Sequence, residues 1–382
     1  MNNYLNWTKK NLFNTWYNSV LTIVGLIIIY GVINSFLKWS LTTADWTVLK
    51  DNLRLFFIGT YPINLMWRIY LSLGIVTLFG GLSWGIVTTS HSFKKIAINL
   101  GMIFFGFLLL ILPLGVTAGI TLICLLLIIL LGGFLGKKVL SNYLFLKKWL
   151  LLIWLITFIF VTWLIEGGFI LEQVKIDNFS GLILTLYAAI ISIILSFPIG
   201  IVLALGRQSK LFIIRWLSIG YIEIIRALPL IGILFMAQVM LPLILPAEVR
   251  PDRVIRAIFG FIIFASAYLA ENIRGGLQAI PKGQIEAAKA LGLNTPLILT
   301  FIILPQAIKA VIPAIVGQFI SLFKDTSLLA IVGLVDLLGI SQSILANPQY
   351  IGRYLEVYLF IALIYFICCY TMSLVSKNIE NT

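Results

Sequence analysis

The chain has 382 residues, 61% of them hydrophobic and only 11% charged, with a mean hydropathy of +1.08. No soluble fold of this length hides so much apolar surface from water, so the composition excludes a soluble globular protein and predicts a chain dissolved in a bilayer. The formal charge of +13 is spread over loops between apolar runs and forms no continuous stripe. That argues against a nucleic-acid partner and for the basic bias of cytoplasmic loops.

Ten transmembrane helices are expected, since a helix satisfies its own backbone in lipid. The first five cover about 19–37, 68–89, 96–113, 115–135 and 149–166, the third and fourth parting only around Pro113 to Gly115. Lys9 and Lys10 precede the first run with no small-residue cleavage site, so it reads as a retained span. Residues 38–67 carry Asp45, Lys50, Asp51, Arg54 and Pro62 and read as an external loop. EGGFILEQVKIDNFSG at 166–181 reads as the linker between an N-terminal extension, 1–175, and a second unit, 176–382. No internal repeat relates the two. The second five spans cover about 182–205, 221–245, 255–273, 308–331 and 354–376, with Pro229 expected to kink the second of these. Residues 328–345 carry Asp336 near the middle, which is costly in lipid, so they read as a short interfacial or re-entrant segment.

Charge sets the orientation. With the N-terminus in the cytoplasm and sides alternating, most of the 27 Lys and Arg fall inside, among them Lys94, Lys95, Lys137, Lys138, Lys147, Lys148, Arg207, Lys210 and Arg215. Both termini are then cytoplasmic, and so is the segment 274–307. The exception is PAEVRPDRVIR at 246–256, whose three arginines land outside.

Catalytic and cofactor chemistry find no footing. His91 stands alone in a basic stretch. Cys124, Cys368 and Cys369 lie in apolar runs without metal spacing, so neither a metal nor another cofactor is expected. The nearest string to a phosphate loop, GGFLGKK at 132–138, has the wrong glycine spacing and Lys138 where Ser or Thr is needed. The chain is therefore not expected to be an enzyme or to bind ATP itself.

Residues 286–305 read EAAKALGLNTPLILTFIILP. Glu286 through Leu291 is a good helix former, and Gly292 fits a helix C-terminal cap. With Gly275, Gly276, Pro281, Gly283 and Pro296, this punctuates 274–307 into short helices and sharp turns. On residues alone, a partner-docking helix competes with an ordinary surface loop. The spacing Glu286-Ala287-Ala288, Gly292, Ile302, Leu304-Pro305 resembles the EAA signature of ABC importer permeases. The resemblance extends through GLILTLYAAIISIILSFPIGIVLALGRQS at 181–209, YIEIIRALPL at 221–230, ASAYLAENIRGGLQAIPKGQIEAAKALGL at 265–293 and LPQAIKAVIPAIVGQFISLFKDTSL at 304–328. These ordered blocks are similar to the polar amino acid permeases. The extra N-terminal helices resemble the general L-amino acid branch, which takes His, Glu, Gln, Arg and opines.

The resemblance implies an all-α polytopic protein of the bacterial plasma (inner) membrane with a C-terminal five-helix, type I permease core. It implies docking of a separate ATPase through Glu286, Ala287, Ala288, Gly292 and Gly283. It also implies a second permease subunit, a related chain or another copy, and an extracytoplasmic amino-acid-binding protein. Two further constellations stand out. Lys324 and Asp325 interrupt an apolar helix that also carries Gln318, Ser321, Thr326 and Ser327, and a translocation path or gate competes there with structural pairing. Glu271 with Arg274, and Glu223 with Arg226, are each three apart on a helix face, where bracing of the docking loop competes with a plain surface ion pair. The alternative of a stand-alone secondary transporter lacks the paired broken helices it needs, only one candidate lying around 324–328. A membrane-embedded enzyme lacks a catalytic constellation.

Overall fold

A computed structural model describes residues 2–87, 101, 116–138, 144–246 and 249–380. The expected span 96–113, apart from residue 101, and the boundary at Pro113 to Gly115 lie outside the described residues. Among the described residues, seven helices are long and apolar enough to cross a membrane, eight if one bent pair is a single span. In chain order the helices are α1 (Asn2–Asn11), α2 (Trp16–Lys38), α3 (Thr47–Ile58), α4 (Met66–Val87), α5 (Val116–Lys138) and α6 (Leu144–Glu166). They continue with α7 (Gly181–Arg207), α8 (Phe212–Ala227), α9 (Leu230–Ile244), α10 (Arg253–Ala279), α11 (Lys282–Ala290), α12 (Leu304–Asp325), α13 (Leu337–Leu345) and α14 (Tyr354–Glu380).

The expected continuous span 221–245 is broken. α8 starts earlier, at Phe212, and meets α9 at 104°. Proline cannot donate the helix hydrogen bond and drives the preceding residue to extended backbone. Leu228 accordingly sits at φ −93°, ψ 139°, and Pro229 caps α9. Inside α9 the turn Met236–Met240 widens to a π-helix. Nearby, Nη1 of Arg256 donates to the Gln238 carbonyl at 2.5 Å, while Nη2 of Arg253 donates to the Gly333 carbonyl at 2.5 Å.

α10 is the central helix. Val254, Ala257, Ile258, Phe261 and Ala265 enter one apolar cluster, and Leu269, Ala270, Ile273 and Leu277 a second. Small residues bring its neighbours close. A Cβ on Gly200 of α7 would lie 2.8 Å from the Leu269 Cβ, and one on Gly276 would meet the Ala307 carbonyl of α12.

The segment 38–67 is not simply an external loop. Its centre is α3, whose Val48, Leu49, Leu53 and Phe56 pack with Leu337, Ile340, Ile344, Val357 and Phe360 of α13 and α14. The polar residues sit on the other side or at its ends. Asp45 pairs with Arg353 at 3.0 Å. Hydrogen bonds from the Thr47 side chain and amide, more than that arginine, hold its carboxyl below the usual range. The linker 166–181 is a structured strap. The Thr60 N–H donates to Ser180 Oγ at 2.8 Å, the Tyr61 hydroxyl to the Ile165 carbonyl at 2.8 Å, and Nη1 of buried Arg68 to the Glu172 carbonyl at 2.7 Å. Tyr187 closes it from α7 with a hydrogen bond to Glu166.

The segment 328–345 does not span. α13 is only nine residues long, and buried Asp336 caps it by accepting from the Gly339 and Leu338 N–H groups at 2.9 and 3.3 Å. The cap pairs the buried carboxyl with backbone N–H groups, so a new short helix starts at this residue.

Candidate functional site

The docking segment is built from α11. Pro281 stands at its N-terminal boundary and has no N–H to leave unsatisfied. At the other end the Leu293 N–H donates to the Ala288 carbonyl at 3.2 Å, and the Gly292 N–H to the Lys289 carbonyl at 2.9 Å. Gly292 has φ +76°. These are the two reciprocal bonds of a Schellman cap, which needs a left-handed residue at this place. Ala288, 2% exposed, and Leu293 enter the apolar cluster beneath, together with Ile285, Ile298 and Ile303. Glu286 and Ala287 face outward and are exposed. Gly283 lies in the first turn of the helix and is not a break between elements. Asn294 then caps the next turn, its side chain accepting from the Leu297 N–H at 3.1 Å.

These two glycines call for opposite outcomes. A Cβ at Gly292 meets nothing within 4 Å, so Gly292→Ala carries only the backbone cost of left-handed alanine, about 1 kcal/mol. A Cβ at Gly283 also meets nothing, and alanine there gains about 1 kcal/mol of helix propensity. Amide exchange across 282–293 is expected to speed about fivefold in the first variant and slow in the second. Equal exchange in both would contradict the cap.

On α10, Glu271 gathers three arginines. Arg274 donates from Nε to Oε1 and Oε2 at 3.1 and 3.0 Å and from Nη2 to Oε2 at 2.8 Å. Arg207 Nη1 reaches Oε1 at 2.8 Å, and Arg226 Nη1 lies 3.6 Å from Oε2. Arg207 also bonds Glu223 at 2.9 Å, Arg274 bonds Gln278 at 2.9 Å, and Arg226 stacks over Tyr268. Glu271 and Arg274 pair within α10. Glu223 and Arg226 do not pair with each other among the described residues, because each reaches across to another helix. Arg207, the last residue of α7, joins both carboxylates. The sequence marks it only as one more basic residue of a loop, since its partners lie 16 and 64 positions away.

The second constellation sits at the far end of α12. Gln318, Ser321, Asp325 and Ser327 are half-buried, Lys324 is exposed and Thr326 is buried. The α-helix ends at Asp325 and tightens into a 3-10 turn, where the Thr326 hydroxyl donates to the Phe323 carbonyl at 2.6 Å. Among the described residues Lys324 and Asp325 form no ion pair, as their divergent directions on a helix dictate. Among the described residues no group of three or more His, Cys, Asp or Glu could hold a metal ion.

An apolar bundle with a broken second core helix and a capped, outward-facing short helix between α10 and α12 defines a multi-pass membrane protein. Residues 196–381 match the family of binding-protein-dependent transport system inner membrane components. The inner membrane amino-acid ABC transporter permease protein YhdY of Escherichia coli (strain K12) is 37% identical over 391 residues, covering 98% of this chain and 92% of its own length. The glutamate/glutamine/aspartate/asparagine transport system permease protein BztC of Rhodobacter capsulatus is 34% identical over 414 residues, 99% of this chain and 93% of its own. A solved amino acid ABC transporter with histidines is 32% identical, with a TM-score of 0.47 over 53% of this chain and 91% of that one. The chain belongs to the family of binding-protein-dependent transport system inner membrane components. It is the permease component of such an ABC system, and the stand-alone secondary transporter is set aside.

Proposed function

We propose that this permease imports L-amino acids, driven by a separate ATPase that docks on α11. The supporting observation is the exposed helix carrying Glu286 and Ala287, closed by its Gly292 cap and seated through Ala288 on the cluster that holds α10 and α12 together. A push on such a helix is carried into the core through packed side chains and not lost in a soft loop. Gln318, Ser321, Lys324, Asp325, Thr326 and Ser327 form the path or gate at the other end of α12. Glu271, Arg274, Glu223 and Arg226, now with Arg207, brace the docking end.

In this reading 176–382 is the core, 1–175 is an extension packed on it, and both termini face the cytoplasm. A second permease subunit completes the path, and an extracytoplasmic binding protein delivers the substrate. The permeases named for amino acids, at full-length similarity, support the substrate class.

ATP-dependent uptake of labelled amino acids into vesicles, with the partner subunits co-expressed, tests the proposal. Glu286→Lys is expected to reduce uptake at least tenfold while the inserted amount stays unchanged. Uptake that persists in this variant, or that needs no ATPase, would remove α11 from the coupling route.

A further inference from the structure

The bracing network has more positive charge than its own carboxylates absorb. Arg207, Arg226 and Arg274 share Glu271, with Glu223 as the other acid, and Arg215 lies alongside. Among the described residues the Arg215 guanidinium has no carboxylate partner. It lines a cavity of about 420 Å3 together with Arg207, Gln208, Ile219, Arg274 and Gln278. No acidic side chain lines that cavity. Three guanidiniums and two carboxamides converge on a space large enough for a small ligand, and all of them can donate.

Its place in the bundle narrows the ligand. Arg207 is the last residue of the spanning helix α7, and Arg215 lies in the first turn of α8. Around it α8 shows exposed Phe212, Ile213, Trp216 and Leu217. Charge at the end of a span, with Trp and aliphatic side chains next to it, belongs at headgroup depth. Phosphodiesters lie at that depth and acyl chains beside it, so one molecule could fill the cavity and cover the apolar face together. Basic pockets between helix ends are suited to such headgroups.

We infer that the cavity between α7, α8 and α10 binds the headgroup of an anionic phospholipid, with Arg215 as the anchoring cation. This goes beyond the transport reading and does not depend on it, since lipid retention is measured without ATP or substrate.

The full chain, purified in detergent, would be incubated with phosphatidylglycerol, with phosphatidylcholine, or with phosphatidylglycerol plus 10-fold excess inorganic phosphate, and retained lipid quantified by native mass spectrometry. Wild type is expected to retain several-fold more phosphatidylglycerol than phosphatidylcholine and to keep it against phosphate. Arg215→Gln is expected to lose about tenfold of that retention, as removal of a charge-assisted donor pair implies. Arg215→Lys, which keeps the charge, is expected to retain most of it, so a general folding defect is told apart. Equal retention of the two lipids, or unchanged retention in Arg215→Gln, would overturn the site. Displacement by inorganic phosphate would assign it to a free anion and overturn the lipid.

Discussion

Glu271→Ala is expected to destabilise the detergent-solubilised chain by about 3 kcal/mol. The reason is what remains afterwards. Arg207, Arg226 and Arg274 converge on the one Glu271 carboxylate, and its side chain is 14% exposed. Removing it leaves three guanidiniums facing one another at the end of the bundle, with only Glu223, 56% exposed, as counterion. Breaking one side of a buried ion cluster costs about 3–5 kcal/mol. The arginines are 23–37% exposed, so solvent screening puts the expectation at the low end. A double-mutant cycle with Arg274→Met separates the cluster from general packing. The pair should be coupled by about 1 kcal/mol or more, because Arg274 has little to hold once Glu271 is gone. Additive thermal shifts would mean that the four side chains do not act as a unit.

Most helices of the core were legible as long apolar runs, though α8 and α9 read as one span and the helix that ends at Leu329 starts at Thr295, within the segment expected to be a loop. The cap at Gly292 was legible too: a left-handed residue after a short helix-forming stretch has a local signature, and glycine carries it. What hydropathy hid was everything that depends on partners distant in sequence. α3 looks like loop because Lys50, Asp51 and Arg54 interrupt it and Asp45 stands just before it. Yet Val48, Leu49, Leu53 and Phe56 fall on one helical face, and that stripe was the available signal. Arg253 and Arg256, which the expected orientation leaves outside, donate to the carbonyls of Gly333 and Gln238, the latter within a π-turn. The bias concerns charge in loops, and these two guanidiniums are occupied by backbone. Pro229 announced a kink. That it becomes a break of 104° follows from the extended Leu228 before it, which restarts the helix instead of bending it.

Gly85→Leu is expected to separate the N-terminal helix pair α4–α5, at a cost of about 3 kcal/mol. In lipid no hydrophobic force draws two apolar helices together, so close backbone contact has to do it, and small residues permit that contact. Here Gly81 and Gly85 of α4 face Gly132, Gly133 and Gly136 of α5 at four-residue spacing on both helices. The fit leaves no room for side chains. A Cβ on Gly85 would sit 2.7 Å from the Lys137 nitrogen and meet the Gly133 carbonyl, while one on Gly132 would lie 2.8 Å from the Leu78 carbonyl. Those neighbours are backbone atoms inside helices and cannot rotate aside, so the helices must move apart and lose contact along the whole crossing. Gly80, the residue before Gly81, supplies the control, since a Cβ there meets nothing within 4 Å. Gly80→Leu should stay within about 0.5 kcal/mol of wild type. Thermal unfolding of the two variants in detergent, followed by size exclusion, compares them directly. The same Tm for both would show that the pair is held by something other than its glycine contact.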